Sequence, residues 1–192
     1  MKRDIILAGV GGQGILSIAA VIGMAAVESG LHLKQAEVHG MSQRGGAVQS
    51  HLRISDKPIA SDLIPEGNCD MILSVEPMEA LRYLPYLSDE GWVVTSSKTY
   101  ENIEDYPSHE ALFEAIHQVK NHIIIDASEV AKGLGSQKVS NMVILGAATE
   151  QLGLSPERLE GALGTLFGRK GEEIVQLNIS ALQAGRDTAK AK

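Results

Sequence analysis

Asp4-Ile5-Ile6-Leu7-Ala8-Gly9-Val10-Gly11-Gly12-Gln13-Gly14-Ile15 passes from an apolar run, through a glycine-rich turn, into a helical pattern. The run 4–8 reads as a buried strand, and residues 15–29, rich in Ala, Ile and Met and closed by Gly30, read as the helix that follows. The glycines satisfy G-x-G-x-x-G in the strand–turn–helix context that gives the pattern meaning. Working outward, strands are expected at 33–38, 47–54, 69–75, 92–96 and 122–126. Residues 47–54 alternate, with Val48, Ser50, Leu52 and Ile54 on one face and Gln49, His51 and Arg53 on the other, which suits a half-exposed antiparallel strand. Helices are expected at 76–84, opened by Glu76-Pro77, and at 110–119. The last third reads as three helices, 139–152, 156–167 and 172–190, with Ser155 capping the middle one. The expected fold class is therefore α/β: a Rossmann-like, largely parallel sheet flanked by helices, with a helical C-terminal third. Residues 1–192 read as a single domain, with the charged tail 186–192 expected to fray.

Composition narrows the function classes. The chain has 192 residues, 44% hydrophobic and 21% charged, and 17 Lys plus Arg against 24 Asp plus Glu leave a net charge of -7. Such a balance favours neither a nucleic-acid backbone nor an anionic membrane surface. No apolar stretch approaches the ~20 residues of a membrane-spanning helix, and the start lacks the pattern of a cleaved leader, so a cytoplasmic protein is expected. The one cysteine, Cys69, cannot form an internal disulfide or hold an iron–sulfur cluster, so any such centre belongs to another chain.

Two loops carry the functional signal. The turn from Gly9 to Gly14 allows a close backbone approach and aims the amides of a helix start at an anion, and Glu37, 23 residues after Gly14, stands at a spacing suited to a dinucleotide ribose. Gln13 adds a polar side chain at the helix start that dinucleotide turns do not need. The second loop is His39-Gly40-Met41-Ser42-Gln43-Arg44-Gly45-Gly46. In a doubly wound sheet it leaves the same edge as the glycine turn and faces the same crevice, where Arg44 offers a planar fork to a carboxylate or phosphate. The bland alternatives are that the glycines only permit close packing and that Arg44 pairs with an acidic side chain. His39 and His51 lack a third ligand at metal-binding spacing, so no metal is assigned. No nucleophile motif or lysine-ended phosphate loop is present, and the catalytic residue stays unassigned; His39 is the sole crevice group with a suitable titration range.

Together, Gly9-x-Gly11-Gly12-Gln13-Gly14 and Gly40-Met41-Ser42-Gln43-Arg44-Gly45-Gly46 resemble the gamma-type domain of thiamine-diphosphate-dependent 2-oxoacid:ferredoxin oxidoreductases. The longer loop beginning His39-Gly40-Met41 is similar to that of the small (beta) subunit of the indolepyruvate enzymes, and Lys138-Val139-Ser140-Asn141 before Leu145-Gly146-Ala147 also fits. The resemblance covers essentially the whole chain. It implies a subunit inactive alone, packed on a large partner that carries thiamine diphosphate, magnesium and iron–sulfur clusters. The complex would oxidatively decarboxylate a 2-oxoacid with coenzyme A as co-substrate, giving acyl-CoA, carbon dioxide and reduced ferredoxin. It also implies that Gly9, Gly11, Gly12, Gln13, Gly14, Gly40, Gln43, Arg44, Gly45, Gly46 and Asn141 form the ligand- or partner-facing site. Two other readings stay open: a stand-alone NAD(P)- or flavin-binding oxidoreductase, and a non-catalytic interaction module. The apolar helices at 15–27 and 142–148 are candidates for a subunit interface or for core, and the isolated chain could self-associate as a homodimer.

Overall fold

The computed structural model describes residues 1–39 and 45–191. Six strands form one sheet in the order β2-β3-β1-β4-β5-β6, where β1 is Lys2–Val10, β2 His32–His39, β3 Ala47–Ser55, β4 Cys69–Ser74, β5 Leu87–Ser96 and β6 Asn121–Ile125. The pairs β1–β4, β4–β5 and β5–β6 are parallel, whereas β3 runs antiparallel to both β1 and β2. Five strands thus share one direction, and the expected largely parallel α/β sheet is present.

From Asp4 onward β1 is buried on both faces, which is why its sequence is a continuous apolar run rather than an alternation. Ile5 and Leu7 pack with Met71 and Leu73 against α1 (Ile15–Glu28). Ile6 and Ala8 face the opposite side, with Ala80 of α2 (Pro77–Arg82) and Ile116 of α3 (His109–His117). A short α4 (Ala127–Gly133), unexpected from the sequence, follows β6. The helical third then comprises α5 (Ser140–Ala147), α6 (Thr149–Leu152), α7 (Pro156–Phe167) and α8 (Glu172–Lys190), so the helix expected over 139–152 is broken at Ala148. Helices on both faces of the sheet give the three-layer arrangement.

Three local expectations are corrected. The second face of β3 is not half exposed: His51 is buried because residues 56–68 fold over it, the Ile64 amide donating to His51 Nδ1 at 3.0 Å. The tail does not fray at 186, since Arg186 and Lys190 both reach Glu150, at 2.7 and 3.2 Å, and α8 continues to Lys190. Of the two apolar helices, the stretch 142–148 is wholly core, whereas α1 buries most of its length but leaves Leu16 and Val27 exposed. Packing of α5 on α8 is closer than Ala or Leu would permit. A Cβ at Gly146 would collide with the Leu182 carbonyl, and one at Gly185 with the Val143 carbonyl.

Candidate functional site

The crevice lies outside the carboxyl ends of β1, β4, β5 and β6, where an open α/β sheet places its ligand. After Val10 the chain turns sharply: Gly12 and Gly14 take φ values of 97° and 81°, a left-handed region that favours glycine. Gln13 closes this turn from both sides, its amide donating to the Val10 carbonyl at 3.1 Å and its Oε1 accepting from the Val10 amide at 2.8 Å. The glutamine that seemed surplus to a dinucleotide turn is therefore the residue that fixes the turn. Gly9 has no room for a side chain, since a Cβ would stand 2.5 Å from Val75 and 2.7 Å from Ile15. Asn141, 127 residues away in sequence, donates from Nδ2 to the Gly14 carbonyl at 3.2 Å and accepts from the Met142 amide at 3.0 Å. A Cβ on Gly14 would collide with that same Asn141 amide.

Gly11 donates to the Gly46 carbonyl at 2.8 Å, so the two glycine loops meet at the crevice as their places on the sheet require. Asn102 Nδ2 holds the neighbouring Gly45 carbonyl at 2.6 Å. Gly40, Gln43 and Arg44, with Met41 and Ser42, lie outside the described residues, as does the side chain of His39. Helix α1 starts with Gly14 as its cap, without a side-chain acceptor and without an acidic residue in its first turn. Its first amides and its positive dipole end are thus directed at the crevice uncompensated by its own sequence.

A cavity of about 200 Å³ opens beside the turn, bounded by Gln13, Ser96, Lys98, Tyr100, Ser128 and Ser140. It shares Lys98, Thr99, Ser128 and Gln137 with a second, more open cavity of about 360 Å³ that reaches Lys132. Among the described residues Lys98 has no ion-pair partner. The second cavity is also lined by Asp126 and Glu129, the latter pairing with Lys132 at 3.6 Å, so Lys98 is the cation of the two cavities without an ion pair among the described residues.

The other flagged residues sit elsewhere. Glu37 lies on β2, which β3 separates from β1, and it is level with Ser50 and Leu7 rather than with the turn. Two strand spacings put it roughly 10 Å aside, so the ribose position of a dinucleotide fold is not reproduced. His51 uses Nδ1 on Ile64 and packs edge-on against Tyr86 at 5.5 Å between ring centres; burial first, then Arg53, lowers its pKa. The Cys69 thiol is buried, donates to the Met71 carbonyl at 3.0 Å, and is pushed up to about 12, chiefly by burial. Sequence reading did not single out Glu76, Lys98 or Tyr106. The signal available was positional: 76 and 98 follow the carboxyl ends of predicted strands, like the two glycine loops.

An α/β domain with a glycine-bordered crevice at the strand ends is the class that fold and site define. Residues 4–188 match the pyruvate ferredoxin/flavodoxin oxidoreductase family. The chain belongs to that family, as a gamma-type subunit of the 2-oxoacid oxidoreductases. Two relatives named indolepyruvate oxidoreductase subunit IorB, from Archaeoglobus fulgidus and Pyrococcus horikoshii, are 34% and 36% identical, each aligned over 98% of this chain and 96% of their own. A keto/oxoacid ferredoxin oxidoreductase gamma subunit from Geobacter sulfurreducens superposes with a TM-score of 0.71 at 27% identity over 99% of both chains. The fold also recurs in a 2-oxoglutarate:ferredoxin oxidoreductase from Magnetococcus marinus, with a TM-score of 0.78 at 24% identity, over all of this chain and 31% of that one.

Proposed function

We propose that this chain is the small subunit of a cytoplasmic, thiamine-diphosphate-dependent indolepyruvate-type 2-oxoacid:ferredoxin oxidoreductase. The large partner supplies thiamine diphosphate, magnesium and the iron–sulfur clusters, and electrons from the oxidative decarboxylation leave on ferredoxin. This chain, as one domain over its whole length, contributes the crevice that receives an anionic group as coenzyme A enters to take the acyl unit. The residues suited to that task are Lys98, the amides that begin α1, and the turn fixed by Gln13 and Asn141, with Arg44 and Gln43 on the second loop. The observation that supports the reading is the hydrogen bond from Gly11 to Gly46, which joins the starts of β3 and of the glycine turn at the sheet edge where Lys98, without an ion pair among the described residues, lines the cavity. The buried Cys69 suits the same division of labour, because a thiol held protonated inside the core is no cluster ligand.

The stand-alone dinucleotide reading loses its support with Glu37 displaced by the intervening β3. The test is co-purification of the tagged chain from its own cells, followed by an anaerobic assay of viologen reduction dependent on 2-oxoacid and coenzyme A. Recovery of a large iron–sulfur chain with indolepyruvate-dependent reduction is the expected outcome. Elution of the chain alone, with NAD or flavin bound, overturns it.

A further inference from the structure

Glu76 is fully buried immediately after β4, and among the described residues no Lys or Arg pairs with it. Arg82, the cation on the same helix, is taken by Glu79 at 3.1 and 3.2 Å. The Glu76 carboxyl group is instead held by neutral donors from two directions. Its Oε2 accepts the Glu79 amide at 2.8 Å and so caps α2. Its Oε1 accepts the Tyr100 amide at 3.3 Å and the Tyr106 hydroxyl in a short hydrogen bond. Those two donors bracket the segment that crosses the crevice mouth between β5 and α3, and midway Asn102 reaches the Gly45 carbonyl at 2.6 Å. Burial, and then the Glu76 side chain, push the Tyr106 phenol up, which keeps it a donor.

A six-residue helix needs one short acceptor at its cap, and Ser, Asp, Asn or Thr supplies it better than the longer Glu. The extra reach and the second oxygen serve residues 97–108. We infer that Glu76 is a positioning residue: its buried side chain fixes the 97–108 segment as the outer wall of the crevice and thereby sets where Lys98 stands. Lys98 itself touches the cavity, whereas Glu76 acts only through the segment it holds. The structural part of this inference stands on the hydrogen bonds alone, and its kinetic part rests on the function proposed above.

The test uses Tyr106→Phe, which removes one of the two donors from the segment, keeps the Tyr100 amide and leaves the α2 cap intact, beside Glu76→Gln and Lys98→Ala. Amide hydrogen exchange of the full chain is expected to quicken about tenfold over 97–108 in Tyr106→Phe, with the core strands unchanged, as loss of one buried hydrogen bond implies. Glu76→Gln keeps one carbonyl acceptor but sets its amide nitrogen against the other donors, so exchange over 97–108 should quicken in it as well. In the complex with the large subunit, Tyr106→Phe should raise KM for coenzyme A about fivefold while kcat falls less than twofold. Exchange over 97–108 unchanged in both variants overturns the inference, as does equal acceleration across the whole sheet. If exchange quickens as expected but neither Tyr106→Phe nor Lys98→Ala alters KM for coenzyme A, the positioning role of Glu76 stands and the crevice reading falls.

Discussion

The two ends of the sheet treat charge in opposite ways. At the amino end of β1, the buried Asp4 side chain is gripped by Arg53 through two hydrogen bonds of 2.7 and 2.9 Å, and Arg53 also donates to the Ser61 and Leu63 carbonyls at 3.0 and 2.9 Å. Nearby, the terminal amine pairs with Asp56, and Lys34 donates to the Ala60 carbonyl at 3.0 Å. Among the described residues the charged groups named there are paired, and the buried Gln151 Oε1 beside Arg3 is the exception that lacks a partner; the contacts from Arg53 and Lys34 clamp residues 56–68 onto the sheet. At the carboxyl end the arrangement is reversed: α1 begins uncapped, Lys98 has no ion pair among the described residues, and the buried Glu76 spends its acceptors on neutral donors. The same sheet carries one end whose charges pair with each other and one end that, on the function proposed, receives a negative group.

The sharpest way to break that contrast is Asp4→Ala. It leaves the half-buried Arg53 guanidinium beside an apolar gap, and removing one member of a buried pair costs about 3–5 kcal/mol. Denaturant unfolding of the isolated chain should show a loss of that order, whereas coenzyme A KM of whatever complex still assembles should be unchanged. A KM shift equal to that of a crevice variant would erase the distinction between the ends.

Gly14→Ala is next in size and acts at the other end. A left-handed φ of 81° costs a side-chain-bearing residue about 1–2 kcal/mol. The added methyl also pushes on Asn141, which must leave the Gly14 carbonyl. The expected result is a modest drop in stability with a disproportionate loss of activity in the assembled enzyme, checked by unfolding and viologen reduction on one preparation. Lys98→Ala is gentler still. Its side chain is exposed and has no ion pair among the described residues, so stability should stay within about 0.5 kcal/mol, while KM for coenzyme A rises severalfold. Loss of stability without a change in KM would move Lys98 to the structural side of the comparison.

How far the sequence reveals this contrast depends on how local each feature is. The strand, glycine turn and helix at 4–29 are contiguous, so periodicity and glycine spacing suffice to read them, and the meeting of the two glycine loops follows from the strand-end rule. Strand order is another matter. That β3 inserts between β2 and β1 depends on pairings 9 to 53 residues apart, and nothing in the apolar pattern distinguishes it from β2 lying beside β1. Glu37 consequently has a plausible spacing and the wrong neighbour. The 97–108 segment has no periodicity at all, so Lys98 is marked only by its place just after a predicted strand, and Tyr106 is visible only after Glu76 has been placed. The close α5–α8 crossing is equally silent in sequence, because a helical glycine such as Gly185 announces a packing contact only once its partner helix is known.

The smallest predicted effect separates the two ends by pH. Burial lowers the pKa of His51, so the folded chain binds fewer protons there than the unfolded chain does. By linkage, stability then increases with pH between the lowered pKa of the folded chain and the ordinary value near 6.5, and the contribution is complete above that value. As pH falls from 7 toward 5, this one site removes at most about 1.4 kcal/mol per pH unit. In His51→Asn, whose side-chain carbonyl can still accept from Ile64 but does not titrate, the slope of unfolding free energy over that range should flatten. Because His51 belongs to the clamped layer formed with residues 56–68, coenzyme A KM in the same variant should keep its wild-type pH profile. A flattened stability slope with an unchanged KM profile confirms that the paired region sets how the fold answers acid. A KM profile that shifts with the substitution would instead couple that layer to the crevice across β1, and the two ends could no longer be treated as independent.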